Sequence, residues 1–169
     1  LSHVADRFVV LLDANVLYPF RKRDVLLRFY DAGLFRARWT AQQAKMKEVF
    51  PEALVAGFEH LEVGIALPDE NDKHVLAAAI QCGAQHIITD NTRDFPLAEL
   101  EQFDIEAIEA DEFLARTFDL YTAEAMSVLR DLRSHYSNPV YTPSEFVLDL
   151  TAKGMPKLAA RTRERRDFL

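Results

Sequence analysis

Three observations predict an α/β fold, a doubly wound parallel sheet followed by a C-terminal helical extension. The run Phe8-Val9-Val10-Leu11-Leu12 is short, continuously apolar and ended by Asp13-Ala14-Asn15, the pattern of a strand buried on both faces. Strand and helix signals then alternate as far as Ile108, an order that implies right-handed crossovers and a ligand site outside the carboxyl ends of the strands. From Ala110 onward strand signals stop and helical spacing takes over. The expected organisation is an α/β domain over residues 1–109 and a helical extension over residues 110–169.

After the first strand, Val25, Leu26, Phe29 and Tyr30 recur at helical spacing, and Gly33 supplies a C-terminal stop. Residues 35–39 alternate apolar and basic side chains and are expected to form a second strand; Ala53-Leu54-Val55 reads as a third. Residues 72–81 place Val75, Leu76, Ala79 and Ile80 on one helical face. Asp69, Glu70 and Asp72 stand at the amino end of that helix, where negative charge suits the dipole, and Gly83 ends it. His86-Ile87-Ile88-Thr89 is a short strand bounded by Asp90-Asn91-Thr92-Arg93-Asp94, and residues 105–108 offer a last one. The extension reads as helices over residues 113–118, 123–136, 143–153 and 156–168, and its final stretch, residues 153–169, sets six cations against two acids.

The 169 residues suit one domain with an appendage, and 49% apolar with 28% charged residues provide for a core. Lys and Arg total 20 against 27 Asp and Glu, a formal charge of -7. That balance argues against a mainly electrostatic nucleic-acid binder but leaves room for an enzyme acting on RNA. Cys82 is the only cysteine, which excludes an intramolecular disulfide and, without a Cys/His cluster, a zinc site. No stretch approaches about 18 consecutive apolar residues, and no basic segment precedes a long apolar one, so neither a membrane span nor a signal peptide is expected. A reducing, cytoplasmic setting fits this composition best.

The informative feature is where the carboxylates fall. Asp13 ends the first strand, Asp72 opens a helix, and Asp90 and Asp94 follow the strand ending at Thr89, so all four are expected at the carboxyl edge of a parallel sheet. Carboxylates crowded there repel one another, and a hard divalent cation with oxygen ligands would relieve the repulsion and activate water for phosphodiester hydrolysis. Mg²⁺ or Mn²⁺ suits such a set, which needs no His or Cys. Each residue also has a plainer role: Asp13 or Asn15 as a helix cap, Asp72 as a first-turn acid, Asp90 or Asp94 as a turn residue. The joint pattern is more specific than its parts. Arg21-Lys22-Arg23, just after the first acidic segment, suits either RNA phosphates or a solvated helix face. His74 reads as a surface residue and Cys82 as a small buried hydrophobe.

Three ordered segments carry a family resemblance: Leu11-Leu12-Asp13-Ala14-Asn15-Val16-Leu17, then Asp69-Glu70-Asn71-Asp72-Lys73-His74-Val75-Leu76-Ala77-Ala78-Ala79, then Ile88-Thr89-Asp90-Asn91-Thr92-Arg93-Asp94-Phe95-Pro96. Together they resemble the motifs of PIN-domain ribonucleases, and of VapC-like toxins within them, over residues 8–108. The resemblance implies a PIN-like fold and metal-dependent endonucleolytic cleavage of RNA. It implies Asp13 as the first metal-binding acid, with Asn15 orienting it or the substrate, and Asp72 as the later acid at a helix start. Many members place an acid where this chain has Asn91, so the last carboxylate is Asp94 or Asp90, or Asn91 contributes only an amide oxygen. Thr89 falls beside the site as a supporting hydroxyl. A VapC-like toxin further implies a cognate antitoxin that occludes the acidic groove, and a homodimer.

The chain departs from that family after Trp39-Thr40, where relatives carry a helix whose Glu completes the acidic site, then a further helix. Only residues 41–49 stand here, and an ordinary helix pair needs roughly 20 more. Glu48 is the only acid in the interval, and its neighbours Lys45-Met46-Lys47 and Phe50-Pro51 resemble the end of the second helix, not the site helix. Two readings account for the shortfall: a true deletion that weakens the site, or a segment missing from the sequence as read, which an intact mass of 19.3 kDa would exclude. Haloacid-dehalogenase-type phosphatases need a second acid where Asn15 stands, and receiver domains need a Lys after a later strand, where this chain has Glu109-Ala110-Asp111. The stronger alternative is a PIN-like RNA- or protein-binding module with an incomplete acidic site.

Overall fold

The computed structural model describes residues 8–41 and 50–169. Four strands, β1 Val9–Leu12, β2 Arg36–Arg38, β3 His86–Ile88 and β4 Glu106–Ile108, form one all-parallel sheet in the order β2-β1-β3-β4. Val10, Leu11, Ile87 and Ile88 are fully buried, which is why β1 and β3 carry uninterrupted apolar runs. In register, Val10 of β1 faces Ala37 of β2 on one side and His86 of β3 on the other. The chain leaves β1 toward β2 and then returns to the opposite side for β3, so the strand order reverses between β1 and β3. In open α/β sheets that reversal opens a crevice at the carboxyl ends of the two strands.

Four residues after β1 form a single helical turn, α1 Ala14–Leu17. Helix α3, Lys73–Cys82, packs on β1 and β3 through Val75, Leu76 and three alanines whose small side chains permit close approach. It ends where Gly83 adopts φ 66°, a left-handed conformation that glycine takes without a Cβ penalty. A short helix, α4 Leu97–Leu100, lies against β4.

The chain forms two compact units. The described part of Leu1–Leu17 with Phe35–Glu109 makes the sheet unit, and Tyr18–Leu34 with Ala110–Leu169 makes a helical one. The helical unit contains α2 Phe20–Asp31, α5 Ala110–Leu120, α6 Thr122–His135, α7 Pro143–Ala152 and α8 Pro156–Arg163. Helix α2 packs against α6, while α8 packs against both α5 and α7. A capping box starts α7: the Thr142 hydroxyl accepts from the Glu145 N–H, and the Glu145 carboxylate accepts from the Thr142 N–H. The start of α8 is held from a distance by buried Asp111 of α5, whose two carboxylate oxygens accept from the N–H groups of Lys157 at 2.8 Å and Leu158 at 3.0 Å.

Several expected elements differ from those observed. Residues 53–55 do not form a third strand: Pro51–Ala53 is a 3₁₀ turn and Leu54 makes one isolated parallel bridge with Trp39. Pro51 has no N–H to give a ladder, which limits pairing to this single point. The last helix stops at Arg163 and continues after a break as the 3₁₀ turn Arg166–Phe168. The Arg21-Lys22-Arg23 segment is not simply a solvated face, because Arg21 is 11% exposed and ion-paired with Asp149, and Lys22 is buried. Glu48 and the remainder of residues 42–49 lie outside the described residues.

Candidate active site

The carboxyl ends of β1 and β3 deliver Asp13 and Thr89 to the crevice, tied together by a bond from the Asp13 N–H to the Ile88 carbonyl at 3.0 Å. The Asp13 carboxylate is fixed by three donors. Its Oδ1 accepts from the Ala14 N–H at 2.6 Å, and its Oδ2 accepts from the Asn15 amide and from the Thr89 hydroxyl, each at 2.9 Å. Thr89 is fully buried, and its oxygen also accepts from the Asn15 amide at 2.9 Å and the Asn91 N–H at 3.1 Å. Asn15 completes the mesh by accepting from the Asp90 N–H at 3.1 Å. Asp13 is thus oriented by hydrogen bonds, and among the described residues no Lys or Arg is ion-paired with it.

Asp72 reaches the same place from another direction. The turn before α3 is set by Asp69, which accepts from the Asn71 N–H and the Asn71 side-chain amide, both at 2.9 Å. Lys73 is occupied by Glu70 at 2.9 Å. The His74 Nδ1 lies 2.6 Å from the Asn71 carbonyl, a contact that requires the proton on Nδ1 and leaves this histidine serving the turn. Burial, the negative charges of Asp13, Asp94 and Asp69, and a hydrogen bond shared with Asp94 push the Asp72 carboxyl up to about 6. Asp94 is also held by the Asn91 side-chain amide, which donates to its Oδ2.

Asp13, Asp72 and Asp94 therefore interact at one edge of the sheet, whereas Asp90 contributes a backbone N–H and keeps an exposed side chain. Among the described residues no three His, Cys, Asp or Glu side chains stand in ready-made metal-ligand geometry. The acids form a loose, mutually repelling group. Its donors are oxygens, which suits a hard divalent cation and offers nothing to a soft one. Sequence reasoning understated Thr89: its position directly after a buried parallel strand was the available signal that its hydroxyl would need internal partners. The roles of Asp69 as the cap of the acidic turn and of the Asp90 backbone were not anticipated, because both depend on turn geometry.

Comparison with known proteins bears on residues beyond these acids. A family model described as the VapC50 C-terminal domain matches residues 110–164, the helical extension. The chain is 36% identical over 92 residues to a curated protein named "Putative ribonuclease VapC50" from Mycobacterium tuberculosis, an alignment that covers 54% of each chain. The chain thus spans about half the length of the curated relative it matches. No solved structure matches significantly. Two comparisons of different kinds lead to the same group, and the resemblance of this chain is to VapC-like PIN-domain ribonucleases.

Proposed function

We propose that this protein is a metal-dependent endoribonuclease that hydrolyses RNA phosphodiesters, acting as a VapC-like toxin, with Asp13, Asp72 and Asp94 as ligands of Mg²⁺ or Mn²⁺. The observation that carries this reading is the mutual interaction of the three acids at the point where the strand order reverses, with Asp72 held reluctant to ionise. A cation bound there supplies Lewis-acid stabilisation of charge on the phosphate oxygens and activation of water. The chain's own residues prepare for it. Thr89 and Asn15 hold the Asp13 carboxylate in one orientation, and Asn91 steadies Asp94 without adding a further negative charge. In this reading residues 1–109 carry the chemistry and residues 110–169 are the extension. RNA is the substrate, a cognate antitoxin and a second copy of the chain are the partners, and the cytoplasm is the setting. Among the described residues no helix is long and apolar enough to cross a membrane.

A second reading, a catalytically weakened PIN-like module that binds RNA or protein, is favoured by the lack of ready-made three-acid ligand geometry among the described residues. One experiment separates the two. Purified protein is incubated with RNA in Mg²⁺, Mn²⁺ or EDTA, alongside Asp13→Asn and Asp72→Asn. The nuclease reading expects cation-dependent cleavage that both substitutions abolish while the fold, followed by circular dichroism, is kept. Cleavage indifferent to both substitutions would overturn the site assignment, and RNA binding without cleavage would favour the module.

A further inference from the structure

The two units divide the charge unequally. Leu1–Leu17 with Phe35–Glu109 carry 16 Asp and Glu against 7 Lys and Arg, while Tyr18–Leu34 with Ala110–Leu169 carry 11 against 13. If the substrate is RNA, as proposed above, the unit holding the acids is poorly suited to gather a polyanion, and the cations that do so must stand elsewhere.

Within the helical unit lies a cavity of about 450 Å³, lined by Pro19, Phe20, Arg21, Tyr141, Asp149 and Lys153. Its lining combines two kinds of group. One is fixed: the Arg21 guanidinium lies 3.8 Å from the Tyr136 ring centroid, its Nε is 2.6 Å from the Asp149 carboxylate, and the Tyr141 hydroxyl accepts from its Nη2 at 3.2 Å. Arg21 and Asp149 neutralise each other. The other kind is exposed. Phe20 is 61% exposed, an unusual state for a large aromatic at the start of a helix, and the Arg23 guanidinium lies 5.6 Å from its ring centroid. Lys153 is exposed, and among the described residues no acid pairs with its ammonium. Tyr18, 79% exposed, adds a second aromatic two residues before Phe20.

An exposed aromatic ring flanked by a guanidinium, an adjoining ammonium that no acid among the described residues pairs with, and a concave wall of fixed hydrogen-bonding groups are the parts of a single-stranded nucleic-acid subsite: the ring stacks a base and the ammonium meets its phosphate. We propose that this cavity of the helical unit binds a nucleotide of single-stranded RNA, with the base on Phe20 and the phosphate on Lys153. The proposal rests on the reading of this chain as an RNA enzyme for its choice of polyanion. It assigns the helical unit, Tyr18–Leu34 with Ala110–Leu169, a substrate-gathering role separate from the chemistry of the acids.

The test uses the full chain and a fluorescein-labelled eight-nucleotide oligoadenylate, followed by anisotropy in EDTA so that no cleavage occurs. Phe20→Ala is expected to weaken binding by roughly 5- to 150-fold, the range for loss of one base-stacking ring, and Phe20→Trp to retain it. Lys153→Gln is expected to lower the slope of log Kd against log salt by about 0.7, the value for one single-strand phosphate. Circular dichroism verifies that the variants fold. Affinity and salt slope unchanged in Phe20→Ala and Lys153→Gln would overturn the proposal, as would Phe20-dependent binding of a labelled acidic peptide by a chain that ignores the RNA. Binding that depends on Phe20, in a chain that never cleaves RNA with Mg²⁺, would leave the subsite standing and remove the nuclease reading; cleavage that needs Asp13 but ignores Phe20 and Lys153 would do the reverse.

Discussion

Replacing Asp72 by Asn should make the metal-free protein more stable at neutral pH, the opposite of what truncating a useful ion pair does. Burial first, and then Asp13, Asp94 and Asp69, raise this carboxyl from 3.8 to about 6. The folded state therefore holds the proton more tightly than the unfolded state. Between pH about 4 and 6 the folded chain stays protonated where the unfolded chain ionises, so stability falls as pH rises through that window and remains lower above it. A carboxyl raised from 3.8 to about 6 corresponds to about 3 kcal/mol at most. Asp72 is half-buried, and solvent screening reduces this to about 1–2 kcal/mol, a rise in Tm of about 2–8 °C for a chain of this size. Thermal unfolding in EDTA at pH 7.5 should show Asp72→Asn melting higher by this amount, with the gap closing as the pH falls from 6 to 4. Saturating Mg²⁺ should then stabilise the native protein more than the variant, because the native protein has the greater repulsion to relieve and one more carboxylate to offer. A variant that melts lower than the native protein at pH 7.5, or a gap that does not change with pH, would refute the reasoning.

Other perturbations follow from the same geometry. Thr89→Val removes a fully buried hydroxyl that donates to Asp13 and accepts from Asn15 and Asn91; it should cost about 1–3 kcal/mol in urea denaturation and reduce cleavage beyond the stability loss. Asp111→Ala leaves the N–H groups of Lys157 and Leu158 without their acceptor and should cost about 1–2 kcal/mol, with amide exchange accelerated first in the initial turn of α8. Thr142→Ala breaks the capping box of α7 and should cost about 1 kcal/mol, measurable in the same denaturation series.

The sheet was legible because each of its buried strands is a short apolar run with a local stop, as in the residues from Val9 to Leu12 and at Gly83, where the chain turns after α3. The acidic edge was legible for a topological reason: residues that directly follow parallel strands share one end of the sheet, so Asp13 and Thr89 had to meet once β1 and β3 were parallel neighbours. What stayed hidden depended on partners distant in sequence. The run from Arg21 to Arg23 has the local look of a solvated or RNA-facing cluster, and nothing near it in sequence announces that Asp149 and Tyr136 will enclose Arg21. Asp111 looked like one more acid after the last strand, yet it caps a helix that begins at Pro156. The failed strand at residues 53–55 shows that a three-residue apolar run is insufficient where a proline precedes it and the partner, Trp39, offers a single pairing position.

The central claim, that Asp13, Asp72 and Asp94 together hold a divalent cation, is tested most directly by an anomalous-difference map from crystals of this protein soaked in Mn²⁺ at pH 7.5. The expected result is one strong manganese peak bounded by those three carboxylates, absent from crystals of Asp13→Asn treated identically. A peak elsewhere in the chain, or none at a Mn²⁺ concentration that supports RNA cleavage, would contradict the claim.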